Sequence, residues 1–320
     1  VKLKLEGHLL PATVTPFTST GAVDFDDLKQ HIARTASVTG VSGVVVNGHA
    51  GEILAMSSAE RKQVVAAARE ALPPRKKLFA GIEATRLEDL VAEGNTAAAA
   101  GADGLLVLPL LDIRPYRQLS KIHEVVYKLF QTLDREIGIP MIVFQYPDAS
   151  GVSYSIPALK QIVELPHVVA IKAACGTVSR YAEAWNELNQ KTTVLTANDA
   201  PPLLGMLLHG AHGALIGISV IGTPIWAEMV KCALKGDAER AKQIYNKSCI
   251  PLMKAVFENQ EPTPVISHFG CTKEALFQLG ELRSPYVRFP EIPVDTGRKE
   301  LIRKALVAAG MLLEPVGASR

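Results

Sequence analysis

The sequence predicts a (β/α)8 barrel followed by a C-terminal helical extension. Three observations carry that prediction. Eight short apolar runs alternate with longer amphipathic segments. The runs are nearly continuous in Val, Ile and Leu, as in parallel strands buried on both faces. The units recur every roughly 20–35 residues, close to the ~30 that a strand–helix–strand unit requires. Eight of them within residues 1–236 approach the ~250 residues usual for a closed barrel. No Gly-x-Gly-x-x-Gly follows the first run, which argues against an open doubly wound sheet.

Taken in order, strands are expected at 10–15, 43–47, 78–82, 104–108, 141–146, 168–172, 193–196 and 214–218. The first helix, 26–37, follows an Asp-rich start. The second, 58–72, opens on a serine cap and stops at Pro73-Pro74. The third, 87–100, ends at Gly101. Helices at 116–133, 157–165, 178–190, 201–209 and 224–234 complete the units, three of them with proline in the first turn. Further helices at 237–258, 263–279 and 297–309 form the extension, residues 237–320, packed on the barrel. No Gly/Ser-rich linker separates the two parts.

Composition narrows the function classes. Of 320 residues, 48% are hydrophobic and 21% charged, which excludes wholesale disorder. Lys and Arg number 34 against 32 Asp and Glu, a formal charge of +2, so no basic field exists to gather nucleic acid or an anionic membrane. The longest uncharged stretch, from Thr192 onward, is interrupted by Asn198-Asp199, two prolines, His209 and His212, and makes no membrane span. Cys175, Cys232, Cys249 and Cys271 lie far apart, a usage expected of a reducing, cytoplasmic protein. The first residues lack the apolar core of a signal peptide.

In such a barrel the chemistry sits at the carboxyl ends of the strands, so polar residues there are the candidates. Lys172 closes the run 168–172. Partial desolvation lowers the pKa of an ammonium and exposes an amine able to attack a ketone. A lysine reaching into water or pairing with a carboxylate is the plainer alternative. Gly48-His49-Ala50-Gly51-Glu52 follows the second strand, either as a tight connection or as a turn whose amides converge on an anion. In Phe144-Gln145-Tyr146-Pro147, period two puts Phe144 and Tyr146 on one face, and a buried Tyr146 hydroxyl needs a partner. Asp199 reads as a cap ahead of Pro201. The glycine-rich stretch from His212 to Gly217 leaves a phosphosugar site open as an alternative. No clustered His, Cys or Asp pattern points to a metal.

Together and in this order, these segments resemble the dihydrodipicolinate synthase/N-acetylneuraminate lyase family. The resemblance spans the chain: Thr15-Pro16-Phe17, Gly51-Glu52, Pro109, Arg114-Pro115, Pro147, Gly151, Ile171-Lys172, Asn198-Asp199-Ala200 and His212-Gly213. It implies a (β/α)8 barrel with extra C-terminal helices, no cofactor, a homotetramer and a Schiff base between a 2-oxo acid and Lys172. Four departures stand out. His49 and Ala50 replace the hydroxyl residues of the family loop, Phe144 replaces its proton-relaying tyrosine, and Ala149 stands where the synthases carry an arginine. Leu110 and Leu111 stand where the synthases place a further tyrosine.

The resemblance therefore implies a class I lyase, an aldolase or dehydratase, acting on pyruvate or a hydroxylated 2-oxo acid. Tyr146 and His49 are the expected substitutes for the missing phenol. Gly48, Ala50 and Gly51 are expected to hold the carboxylate, with Phe144 and Leu111 making the pocket less polar. The alternatives are a true dihydrodipicolinate synthase with a remodelled site and a catalytically silent, small-molecule-binding barrel.

Overall fold

Eight parallel strands succeed one another around the barrel: β1 (Leu9–Pro11), β2 (Gly43–Val46), β3 (Lys77–Ile82), β4 (Gly104–Val107), β5 (Met141–Gln145), β6 (Val168–Ala173), β7 (Thr193–Thr196) and β8 (Ala214–Ile216). The computed structural model describes residues 2–5, 7–109, 116–258, 267–289 and 291–313. Each strand pairs with its sequence neighbour, and β8 returns to β1. Bridges from Leu9 to Val41 and from Ala12 to Val45 close the ring between β1 and β2.

Alternate side chains divide into two cores. One inward residue from each strand fills the barrel: Leu10, Val45, Phe79, Leu106, Ile142, Ala170, Leu195 and Leu215. The outward set packs under the helices, each buried aliphatic side chain contributing about 1.5–3 kcal/mol. Leu3 and Leu5 pack against the inner cluster from below. The Leu3 amide donates to the Val169 carbonyl at 3.0 Å, and Thr193 Oγ1 donates to the Leu3 carbonyl at 3.2 Å. The amino-terminal segment thus forms a floor to the barrel.

The outer ring is α1 (Phe25–Ala36), α2 (Ser58–Ala71), α3 (Leu87–Ala99), α4 (His123–Ile137), α5 (Ile156–Ile162), α6 (Val178–Leu188), α7 (Leu203–His209) and α8 (Thr223–Leu234). Their starts obey local capping chemistry. Asp24, Ser155 and Thr177 accept from amides of the first turn, and Ser57 with Glu60 forms a capping box. The extension comprises α9 (Ala238–Ile244), α10 (Ile250–Phe257), α11 (His268–Gln278) and α12 (Thr296–Ala308). Among the described residues no helix is long and apolar enough to cross a membrane.

Several boundaries differ from expectation. β1 stops at Pro11 and β8 at Ile216, where Ile218 opens a tight 3-10 turn. The expected helix 116–133 divides at Ile122, whose extended backbone separates a 3-10 turn (Tyr116–Lys121) from α4. The expected helix 237–258 contains a π-helical turn at Tyr245–Cys249. Pro251 follows it; lacking an amide hydrogen and crowding the preceding turn, proline favours such a change of winding. Residues 263–266 of the next expected helix lie outside the described residues.

Candidate active site

Lys172 lies on β6 in the inward series Ala170, Lys172, Ala174, in register with Phe144 on β5 and Leu195 on β7. Its residue is only 9% exposed, and Nζ sits 3.6 Å from the centroid of the Phe144 ring. Among the described residues it makes no ion pair and no hydrogen bond. Burial pulls the ammonium down to about 8, against the opposite pull of the Asp199 carboxylate. At pH 7 roughly a tenth of the amine is then neutral, about three hundredfold more than for a solvated lysine.

Asp199 does not cap α7, contrary to the sequence expectation. Its carboxylate instead accepts from the Ile218 amide at 2.9 Å and the Gly217 amide at 3.3 Å, tying the loop after β7 to the loop after β8. Burial raises its pKa, while those two amides and Lys172 oppose the rise. Donors that a phosphosugar reading would need after β8 are thereby engaged. His212 lies elsewhere, its Nδ1 accepting from the Val194 amide at 3.0 Å.

The loop after β2 is wound tightly. Asn47 and Glu52, at its two ends, both adopt left-handed backbone, with φ of 52° and 54°. Gly51 and Glu52 donate their amides back to the carbonyls of Gly48 and His49, and Thr15 Oγ1 holds the Gly51 carbonyl at 2.8 Å. The amides of His49 and Ala50 donate to no atom of the described residues. Two consecutive free N–H groups are a ready anion receptor. Ala50 lies beside Gly217, a Cβ on which would sit 3.5 Å from the Ala50 methyl. Beneath the loop, Gly81 allows the close approach of Asn47, because a Cβ there would fall 1.9 Å from the Asn47 carbonyl oxygen.

His49, Phe144 and Tyr146 form one aromatic cluster. Phe144 and Tyr146 meet edge to face at 4.4 Å between centroids, and His49 lies 5.6 Å and 5.4 Å from them. The Tyr146 hydroxyl and His49 Nε2 share a hydrogen bond of 2.5 Å. Burial, followed by the positive charge of Lys172, holds the imidazole down at about 4, so the ring is neutral at pH 7. The two groups expected to replace the missing phenol are thus in contact, and the Phe144 ring touches both them and the Lys172 amine. Leu110 and Leu111 lie outside the described residues.

A cavity of about 200 Å³ adjoins this cluster, lined by Tyr146, Asp148, Ala149, Cys175, Thr177 and Arg180 among others. Arg180 is a residue the sequence reading missed. It projects from α6 into the cavity that Ala149 borders, but Asp148, at 2.8 Å, and Glu183 both neutralise it. Among the described residues no group of three His, Cys, Asp or Glu side chains is arranged to hold a metal.

Residues 5–309 match the Dihydrodipicolinate synthetase family. The 4-hydroxy-tetrahydrodipicolinate synthase of Neisseria gonorrhoeae is 30% identical over 308 residues, covering 96% of this chain and all of that protein. The dihydrodipicolinate synthase of Acinetobacter baumannii, solved in complex with pyruvate, superposes with a TM-score of 0.82 at 25% identity, covering 97% of this chain and all of that one. The dihydrodipicolinate synthase of Thermotoga maritima shares the fold with a TM-score of 0.84 at 23% identity, covering 97% and 100% of the two chains. The chain belongs to the dihydrodipicolinate synthetase family, within the dihydrodipicolinate synthase/N-acetylneuraminate lyase superfamily of class I pyruvate-dependent aldolases.

Proposed function

We propose that the protein forms a Schiff base between Lys172 and pyruvate or a hydroxylated 2-oxo acid, and uses it to make or break a bond beside the former carbonyl. The observation that carries this reading is the buried, unpaired Lys172 amine lying against the Phe144 ring. The neutral amine attacks the C2 carbonyl, and the resulting carbinolamine loses water to give a protonated imine. The amides of His49 and Ala50, between Gly48 and Gly51, receive the carboxylate. Tyr146 hands a proton to the departing hydroxyl and recovers one through His49. The imine then accepts the electron pair of the C3–C4 bond while the C4 hydroxyl yields its proton to the Tyr146–His49 pair, releasing an aldehyde and leaving an enamine. In a dehydration the imine instead acidifies C3, whose proton passes to the same pair as the C4 hydroxyl takes up a proton and leaves as water. The Phe144 face and the alanines at positions 50 and 149 favour an apolar or aromatic aldehyde portion.

A second reading is 4-hydroxy-tetrahydrodipicolinate synthase activity, and the names of the curated relatives favour it over an unspecified lyase. It requires a site without the strand-five phenol to condense pyruvate with aspartate semialdehyde. Borohydride trapping decides the shared step: wild-type protein with pyruvate should gain a reduced adduct on Lys172, located by mass. A protein without that adduct is a binding barrel. Turnover with aspartate semialdehyde, set against a panel of aromatic aldehydes, then separates the two enzymatic readings. The same proposal places the protein in the cytoplasm as a homotetramer, which light scattering on the purified chain tests.

A further inference from the structure

We infer that Lys273, in the C-terminal extension, is a positioning residue for the active-site loop: its ion pair with Glu52 sets the loop geometry in which the amides of His49 and Ala50 receive a substrate carboxylate. The inference rests on the proposed Schiff-base reading. Lys273 stands on α11, and its Nζ is fully buried against the Glu52 carboxylate, which is equally buried. The remaining valences are satisfied locally. Lys273 donates to the Tyr286 carbonyl at 2.9 Å, and Glu52 Oε2 accepts from the Arg288 amide at 3.4 Å. Burial pushes the lysine down and the carboxyl up, and each charge opposes the other's shift.

Two features give this pair a role beyond cohesion. Glu52 occupies left-handed backbone, a conformation that costs a non-glycine residue about 1–3 kcal/mol and persists only where surroundings impose it. The loop also borders a cavity of about 170 Å³ lined by His49, Glu52, Leu54, Phe269 and Glu291, so side-chain packing does not fix the loop there. The tie is ionic instead, and it is buttressed. The Phe17 ring receives both cations, Lys273 Nζ at 4.1 Å and the Arg288 guanidinium at 4.4 Å from its centroid. Arg288 in turn grips the far end of the loop through the Ala55 carbonyl at 2.8 Å and Glu60 at 2.6 Å and 3.1 Å. A buried ion pair adds little net stability relative to apolar partners of the same shape. What it supplies here is a direction for Glu52, whose own amide holds the His49 carbonyl at 2.9 Å, and with it the peptide units of His49 and Ala50.

The test uses Lys273→Met, Glu52→Gln and the double variant Glu52→Gln/Lys273→Met, which leaves no unpaired buried charge. For each folded protein the rate of borohydride-trapped adduct at Lys172 is measured against pyruvate concentration, alongside the melting temperature. The expected result is a rise of at least tenfold in half-saturating pyruvate, with the maximal trapping rate within about threefold of wild type. The double variant should melt close to wild type and still show the rise. Wild-type half-saturation in a folded double variant, or failure of all three variants to fold, overturns the inference and leaves the pair purely structural. Wild-type protein that traps no pyruvate at all defeats the Schiff-base proposal instead, so the two failures are distinct.

Discussion

Replacing Lys172 by methionine removes a charge while keeping an unbranched apolar chain against Phe144, and the structure gives the sign and size of the effect. The ammonium is pulled from 10.5 in the unfolded chain to about 8 in the fold, chiefly by burial. At 1.36 kcal/mol per pKa unit that is a penalty of about 3 kcal/mol whenever the amine is charged in both states. Losing the contact with the Phe144 face gives back about 1 kcal/mol, leaving a net gain of about 2 kcal/mol. At ~2.1 cal/mol/K per residue, a chain of this length should melt about 3 °C higher. Because the folded pKa is the lower one, the unfolded chain binds more protons between pH 8 and 10.5, and wild-type stability climbs through that window. The penalty is therefore whole below pH 8 and fades as pH rises towards 10.5. Calorimetry of both proteins at pH 7, 8, 9 and 10 should show Lys172→Met the more stable at pH 7 and the gap narrowing stepwise. A constant gap, or a variant that melts below wild type at pH 7, refutes the buried-amine argument.

Tyr146→Phe and His49→Ala should each lower turnover by about 10²–10⁴ while leaving the fold intact; if both retain full turnover, the proton relay lies elsewhere. Asp199→Asn removes the carboxylate that opposes the fall in the Lys172 pKa, so the midpoint of the pH–trapping profile should move to lower pH, and a shift upward contradicts the assignment. Gly81→Ala sets a methyl against the Asn47 carbonyl, which is backbone and cannot step aside; a loss of several kcal/mol is expected in chemical denaturation, and a neutral result would show that the 48–52 loop moves freely.

The barrel was legible because strands buried on both faces leave unbroken apolar runs, and parallel order follows from the helices between them. Lys172 stood out because a charge at the end of Val168-Val169-Ala170-Ile171 breaks the apolar pattern, but the pattern alone left a lysine reaching into water as the plainer reading, and only the family resemblance pointed to an amine used for chemistry. His49 and Tyr146 could be named as candidates, but their contact spans 97 positions and only the closed ring brings it about. The Glu52–Lys273 pair was invisible. Lys273 follows Cys271-Thr272 in a helix of mixed polarity, where a lysine ordinarily faces water. Asp199 was misread because an aspartate ahead of Pro201 satisfies a local capping pattern, and its true partners belong to the next unit. Boundaries slipped where backbone geometry overrode apolarity: at Ile122, which breaks a helix its hydrophobicity would extend, and after Ile216, where the chain leaves the sheet while still apolar.

Leu3 and Leu5 give the barrel a floor, and a vessel with one opening imposes a sequence on whatever enters. On the proposed Schiff-base reading, a keto acid joined to Lys172 would lie deepest, and any later reactant would settle on top of it. Departure then reverses arrival: the upper molecule has to leave before the bound acid can be hydrolysed off. Inhibition patterns between the two reactants should carry that stacking order. Anything lodged at the mouth also locks in what lies below.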